Sequence, residues 1–393
     1  MTATMAPTSS ALLGVYRQPP VEFVRGAGVE LFDADGKAYL DFVAGIAVNA
    51  LGYGDAGLER AMHEAVDASL IHVSNLYRTS PAERLAERLV ESSFADQVFF
   101  CNSGAEANEG AFKFARRWAR LRGGSAKHEI IALRGGFHGR LMGTLAATDR
   151  PQYRAPFRPL AGGISICERD MDELRTALDP ETVAAVIAEP IQGEGGVRVF
   201  EPQFLAELRE LTRERGILLI LDEIQCGYGR TGALWAHEHA GITPDILTVA
   251  KPMAGGLPMG AILVTADVGS AMQPGDHGTT FGGGPFVASV ALHVHDRISQ
   301  PAFLANVRAR GEELREGLVR IQKSNARVRG VRGAGLMWGL DVVEPAREVV
   351  VRALNRGLLV CSAGDHTIRL LPPLVVTSAD IARAIRLLEE AIG

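Results

Sequence analysis

From about residue 95 onward, short unbroken aliphatic runs alternate with segments whose apolar positions recur at helical spacing. A parallel sheet covered on both faces produces such runs, because neither face offers water to alternate polar side chains. Strands are predicted at 97–100, 129–133, 183–188, 217–221, 246–250 and 261–265. They lead into polar or glycine-rich words, CNSGAEAN, RGGFHGR, EPIQGEGG, DEIQCGYGR and KPMAGG. These words are expected at the carboxyl edge of the sheet, where open α/β folds bind ligands. Upstream, 29–32 and 38–42 flank Asp33-Ala34-Asp35-Gly36, a turn composition that predicts a hairpin. A calcium loop would need further ligands after Gly36, but Lys37 and Ala44 stand there. Beyond 285 the pattern predicts a long helix, a strand near 336–342, a second helix, short strands within 358–370 and a closing helix. Thr377, with Asp380 three residues on, marks the start of that last helix ahead of Ile381, Ile385 and Leu388. No internal repeat is present. The expected organisation is an N-terminal segment with a hairpin (1–45) packing on a smaller C-terminal α+β domain (286–393), and a large domain between them (46–285).

A length of 393 residues exceeds the roughly 100–200 of one ordinary domain, in keeping with two packed units or one large α/β core with an appendage. Apolar residues at 47% and charged residues at 22% describe a globular chain with a sizeable core. A net charge of −5, with no block of like charges, argues against nucleic-acid and membrane-surface partners and for a small molecule. Cys101, Cys167, Cys226 and Cys361 are widely spaced, so neither a disulfide framework nor a zinc site is suggested and a cytoplasmic setting is expected. MTATMAPTSS lacks the features of a secretory leader, and residues 1–10 are expected to fray.

Lysine supplies only five of the 41 basic side chains, which makes each one informative. Lys37, Lys113, Lys127 and Lys323 occupy ordinary solvated contexts, whereas Lys251 follows the aliphatic DILTVA at a strand end. Asp222 closes another aliphatic strand, ILLIL, where a carboxylate is costly without a cationic or hydrogen-bonding partner. A third strand passes through Ser103, a good N-cap, into a helix with Ala107, Ala111, Ala115 and Trp118 on one face. The small Gly104 and Ala105 leave backbone N–H groups open to an anion. Each feature alone is unremarkable. Together they describe a pyridoxal phosphate site, with helix amides for the phosphate, Asp222 for the ring nitrogen and Lys251 for the Schiff base.

The segments YLDFVAGIAVNALG, FFCNSGAEANEGAFKFAR, GGFHGR, VAAVIAEPIQGEGGV, LLILDEIQCGYGRTG, PDILTVAKPMAGGLPMGA, HGTTFGG and IRLLPPL occur in order between about residues 14 and 375. This set resembles the class III pyridoxal-phosphate aminotransferases, most closely their acetylornithine branch. The resemblance implies fold type I: α/β, a large domain with a mostly parallel central sheet covered by helices, and a smaller α+β domain. It implies that Ser103, Gly104 and Ala105 hold the phosphate and that Thr280 reaches the cofactor of a neighbouring subunit, making a homodimer with a shared active site. Phe137 would stack on the ring, His138 shape the pocket, Asp222 pair with the ring nitrogen and Gln225 bond the phenolic oxygen, with Glu189 on the same wall. Arg140 would clamp the α-carboxylate of acetylornithine and Arg369 that of glutamate, with Thr279 also in contact with substrate. Glu194 resembles the family's gate over Arg369. A guanidinium suits both clamps because it meets a carboxylate with two coplanar bonds. The implied reaction moves the terminal amino group of N-acetylornithine to 2-oxoglutarate, giving glutamate, as in arginine biosynthesis. Ornithine, succinylornithine, acetylated lysine-type amines and 4-aminobutyrate are the alternative donors, and a non-catalytic cofactor binder is the alternative class. Three words depart from the family pattern: residues 52–57 (GYGDAG), residues 282–285 (GGGP), and Pro-Met-Ala after Lys251.

Rival motifs are thin. GYGRTG at 227–232 matches GxGxxG after a strand, but the next strand ends in Lys251 where a dinucleotide site wants an acid. No Walker motif occurs, His237-Glu238-His239 lacks the HExxH spacing, and His293 and His295 are two apart on a predicted helix and so point to different faces; no metal is expected. Met253, Met259 and Met337 are predicted core fillers.

Overall fold

The computed structural model describes residues 11–16 and 20–393; the fraying expected of residues 1–10 lies outside them. Strands β1 (Phe23–Ala27), β2 (Glu30–Asp33) and β3 (Ala38–Asp41) form an antiparallel ribbon. The β2–β3 turn is tied by Asp33, whose Oδ1 accepts the backbone N–H groups of Asp35 (3.1 Å) and Lys37 (2.9 Å). That carboxylate therefore serves the turn. The sequence did not reveal β1, because Arg25 and Gly26 interrupt its apolar pattern and its surface is mostly exposed.

The central sheet is built from β4 (Gln97–Cys101), β5 (Glu129–Leu133), β6 (Ile164–Cys167) and β7 (Val183–Ala188). A two-residue ribbon, β8 (Ile191–Gln192) and β9 (Arg198–Val199), intervenes before β10 (Leu218–Asp222), β11 (Ile246–Val249) and β12 (Gly260–Val264) complete it. The spatial order is β4-β12-β11-β10-β7-β5-β6, parallel except for β12, which runs against both neighbours. Strands β7, β10, β11 and β12 are wholly buried, and alternate residues face two different apolar layers: Leu219, Leu221 and Leu247 on one side, Leu218, Ile220 and Ile246 on the other. The helix Gly104–Gly123 covers the second layer with Ala107, Ala111, Ala115 and Trp118, as its spacing predicts. Strand β6, at the sheet edge with a partly exposed Ile-Ser-Ile-Cys, carries too little periodicity to be read in advance.

The long helix predicted after 285 is two helices, Pro285–Ile298 and Pro301–Ser324. Pro301 lacks the N–H needed to continue the first but suits the opening turn of the second. The last sheet contains β13 (Val328–Ala334), β14 (Met337–Val342), β16 (Cys361–Ser362) and β17 (Thr367–Leu370), in the order β13-β14-β17-β16. Strand β15 (Leu358–Leu359) leaves this sheet to pair in parallel with β3, joining the N-terminal ribbon to the C-terminal third of the chain. The closing helix Ser378–Ile392 has the expected reciprocal cap: Asp380 N–H donates to Thr377 Oγ1, and Thr377 N–H to Asp380 Oδ2. Met253, Met259 and Met337 are buried. Among the described residues, no helix is long and apolar enough to cross a membrane.

Candidate active site

Parallel strands bring their carboxyl ends to one edge, and β4, β5, β7, β10 and β11 all end on the same side. The reversed β12 contributes its first residue there instead, Gly260 lying opposite Cys101. Within this edge lies a cavity of about 240 Å³ whose wall includes Gly104, Ala105, Phe137, His138, Asp222 and Lys251. Gly139, Arg140, Glu189, Gln225 and Ile224 complete it.

At one end stands the start of the helix Gly104–Gly123. Ser103 is extended, and its Oγ accepts the Glu106 N–H at 3.2 Å. The N–H groups of Gly104 and Ala105 belong to the first turn, where the helix has no carbonyl to offer, and they find no acceptor among the described residues. A Cβ on Gly104 would come within 2.7 Å of Ile224 Cδ1, so only glycine lets the helix start close in here.

Across the cavity Asp222 is fixed by three donors. Its Oδ2 accepts from Asn108 Nδ2 (2.7 Å) and His138 Nδ1 (2.8 Å), and its Oδ1 from the Ile224 N–H (3.1 Å). Asn108 is oriented in turn, because Thr248 Oγ1 donates to its Oδ1 at 2.7 Å while its Nδ2 also donates to the His138 carbonyl at 2.8 Å. Such support meets the cost of a carboxylate at the end of an aliphatic strand. His138 Nε2 is buried and has no partner among the described residues.

Lys251 begins a 3-10 turn directly after β11, and its amine makes no hydrogen bond with a described residue. Burial lowers its pKa and Arg369 adds to the effect, outweighing the acids Glu194, Asp222 and Glu189. The amine is thus biased toward its neutral, nucleophilic form. Glu189 accepts the N–H groups of Phe137 (2.8 Å) and Gly193 (3.2 Å), which braces the ring-side wall. Burial pushes the Glu189 carboxyl up to about 7, against the pull of His138.

The last side is polar and differently built. Arg369, brought by β17 and 2% exposed, donates through Nη1 to Glu194 Oε1 (2.6 Å) and Gln225 Oε1 (2.9 Å). Its Nε lies 3.4 Å from Cys361 Sγ. Burial raises the Glu194 carboxyl, but Arg369 outweighs that and holds it below its ordinary value. A Cβ on Gly193 would lie 2.0 Å from Gln225 Oε1, so a glycine there makes room for this cluster. Arg140 is exposed, its guanidinium 3.5 Å above the Tyr153 ring and 5.8 Å from that of Phe137. Thr279 Oγ1 accepts from Asn102 Nδ2 at 2.9 Å, next to the Ser103 cap. Thr280 is exposed and is not brought to the cavity. The structure thus gathers Gly104, Ala105, Phe137, His138, Arg140, Glu189, Asp222, Gln225 and Lys251 around one cavity, with Ser103 behind the helix start and Glu194 and Arg369 adjoining.

Asn108, Ile224 and Cys361 escaped the sequence reading. An asparagine inside the alanine-rich stripe of the helix was the available signal for Asn108, since a buried amide there requires polar partners. Nothing in the local sequence distinguishes Ile224 or Cys361. GYGRTG forms successive turns with Tyr228 at φ 54°, not the opening of a helix.

An apolar slot with unpaired amides at one end, a braced carboxylate opposite and a buried amine whose pKa is lowered beside it fits pyridoxal phosphate. The orphaned N–H groups suit a phosphate, and Asp222 suits a protonated ring nitrogen. That combination defines a pyridoxal-phosphate-dependent enzyme. The chain belongs to the class III aminotransferases: the family model described as Aminotransferase class-III matches residues 14–392. It is 47% identical to the mitochondrial acetylornithine aminotransferase of Alnus glutinosa, over 99% of this chain and 87% of that one. It is 42% identical to the acetylornithine aminotransferase of Caldanaerobacter subterraneus subsp. tengcongensis, over 97% of both. Similar solved structures include N-acetylornithine aminotransferase from Stenotrophomonas maltophilia (TM-score 0.84, 37% identity, 95% of this chain and 96% of that one). Another is the ornithine aminotransferase of Toxoplasma gondii (TM-score 0.92, 30% identity, 97% and 92%).

Proposed function

We propose that this aminotransferase takes the terminal amino group of N-acetylornithine and passes it to 2-oxoglutarate, releasing N-acetylglutamate semialdehyde and glutamate in arginine biosynthesis. The observation that carries the reading is the sealed Arg369. A buried guanidinium already paired with Glu194 at 2.6 Å is withheld from substrate, while the exposed Arg140 is free to take a carboxylate farther from the reacting carbon. A donor reacting at a terminal CH₂–NH₂ carbon needs this arrangement; glutamate, with a carboxylate on the reacting carbon, needs Arg369 uncovered. The names of the relatives support the same donor.

In this reading Gly104 and Ala105, with Ser103 behind them, bind the phosphate, Phe137 covers the ring, and Gln225 faces its phenolic oxygen. Glu189 holds the Phe137 loop, His138 positions Asp222, and Thr279 borders the substrate. When bound, pyridoxal phosphate supplies a carbonyl for the amine and a ring that accepts the electrons left by proton loss. Asp222 keeps the ring nitrogen protonated. With the cofactor bound, Lys251 would take the proton from the amine-bearing carbon as general base and return it to the carbon on the other side of the transferred nitrogen. Arg369 then admits the α-carboxylate of 2-oxoglutarate as Glu194 withdraws.

A homodimer is part of the proposal. Leu76, Tyr77 and Phe281 are 84%, 73% and 65% exposed, and their segments meet where Asn75 Nδ2 donates to the Thr279 carbonyl at 3.0 Å, which gathers large apolar side chains beside Thr280. A second copy seated there would receive Thr280 at its own phosphate. With the division proposed at 45 and 285, Lys251 would stand on the large domain and Arg369 on the small one, and substrate would bind between them. The four cysteines form no disulfide, which suits the cytoplasm.

The test follows the absorbance of the protein loaded with pyridoxal phosphate as N-acetylornithine, ornithine or 4-aminobutyrate is added without a keto acid. N-acetylornithine is expected to bleach the visible band at the lowest concentration, and 2-oxoglutarate to restore it. Preferential bleaching by another amine would replace the donor; no response to any amine would defeat the catalytic reading.

A further inference from the structure

The ion pair that seals Arg369 must open in every turnover if Arg369 is to receive a dicarboxylate, and the Glu194 carboxylate then needs another place. Leaving it partly buried without a counter-charge would cost several times an ordinary hydrogen bond. Glu194 is more accessible than its partner, its side chain 27% exposed against 2% for Arg369. It faces a second cavity of about 630 Å³ outside the cofactor slot.

The wall of that cavity carries Arg150, Tyr153, Arg347 and His366 as well as Glu194. Neither arginine of this wall is ion-paired with a described residue, but Arg347 is exposed, which singles out Arg150. It precedes Pro151, the first residue of the short helix Pro151–Arg154, and it is half-buried. Its Nη1 donates to the neighbouring Asp149 carbonyl at 2.8 Å, yet it forms no ion pair with any described residue. Its charge already reaches Glu194, adding to the influence of Arg369 and Lys251 that holds the carboxyl low. Tyr153, beneath the Arg140 guanidinium, links this outer cavity to the substrate side of the cofactor slot. Asp365 is the other acid of the wall, but it is exposed.

We propose that Arg150 is the second docking post of Glu194: when a dicarboxylate takes Arg369, the Glu194 side chain rotates into the outer cavity and pairs with Arg150. This rests on the gating role of Glu194 given above. Arg150 acts as a positioning residue, since it stabilises one of two states of another side chain. A ligand draws on the open state only in proportion to its population, so removing the post weakens ligands that need Arg369 and spares those that do not.

The experiment compares holoenzymes carrying Arg150→Gln, Glu194→Gln and both. Binding of glutarate, an unreactive dicarboxylate, is measured by calorimetry, and the N-acetylornithine half-reaction by stopped-flow absorbance. Arg150→Gln is expected to weaken glutarate about 5- to 20-fold, the usual range of a modest coupling, and to change the N-acetylornithine half-reaction by less than about twofold. In the Glu194→Gln background the same substitution should have no further effect on glutarate, because the charge it served is gone. Arg150→Lys should recover most of the loss. Equal weakening of both ligands would overturn the proposal in favour of a diffuse field, persistence of the loss in Glu194→Gln would overturn it in favour of direct ligand contact, and unchanged glutarate binding would overturn it outright. Failure of the donor assignment looks different: the unsubstituted enzyme would not respond to N-acetylornithine, while the glutarate comparison would keep its result.

Discussion

The two halves of the site are stabilised in opposite ways. At the cofactor end, Asp222 is held by a backbone N–H and by the buried side chains of Asn108 and His138, and Asn108 is itself held by the buried Thr248. Rotating Asp222 would break several bonds at once. At the substrate end the decisive contact is one ion pair whose acidic partner borders an open cavity. It exchanges at low cost because the freed groups meet either a ligand or another cation. A cofactor that stays needs the first construction, and two substrates that alternate need the second.

The comparison can be broken most forcefully at Lys251, which belongs to neither construction. Lys251→Ala is expected to lower turnover by about 10³-fold or more while leaving the melting temperature of the apoprotein within a few degrees. Unfolding of that variant would show the amine to be a structural group. Asn108→Ala attacks the rigid end. It strips a donor from a buried carboxylate, with an expected loss of about 1–3 kcal/mol in stability and weaker cofactor retention, read by thermal melting and by dialysis against a carbonyl scavenger. If neither changes, the Asp222 network is less taut than its bond lengths imply.

The smallest effect concerns pH and the exchangeable end. Because Glu194 is held below its ordinary range in the folded protein, its pairing stabilises fully above the unfolded carboxyl value, about 4.3, and is lost as pH falls through the lower folded value. The stability difference between the unsubstituted protein and Glu194→Gln should be flat from pH 6 to 8 and shrink below about pH 4. A difference that changed near neutrality would point to a different titrating partner.

Much of this molecule was legible before folding, for reasons that can be named residue by residue. Lys251 and Asp222 stood out because charged groups interrupt aliphatic runs that burial on both faces demands, and Ser103 because a hydroxyl before a helix satisfies amides that helix geometry leaves bare. Edge strand β6 and ribbon strand β1 were not legible, since their half-exposed surfaces impose no pattern. The break at Pro301 was missed because two successive helices share an apolar spacing, although the proline itself was the available sign.

What the sequence determined by itself is therefore local and periodic: which runs are buried, which helix starts are capped, and which polar groups sit where burial makes them costly. Tertiary structure alone decided that β17 delivers Arg369 to Glu194 across 175 residues of chain, that Asn108 and Thr248 brace Asp222 from two other elements, and that Arg150 shares a cavity with Glu194. The reason is range. Hydrophobic period and capping act between neighbours a few positions apart, whereas ion pairs and hydrogen bonds between distant segments exist only once sheet order has chosen which strand ends meet.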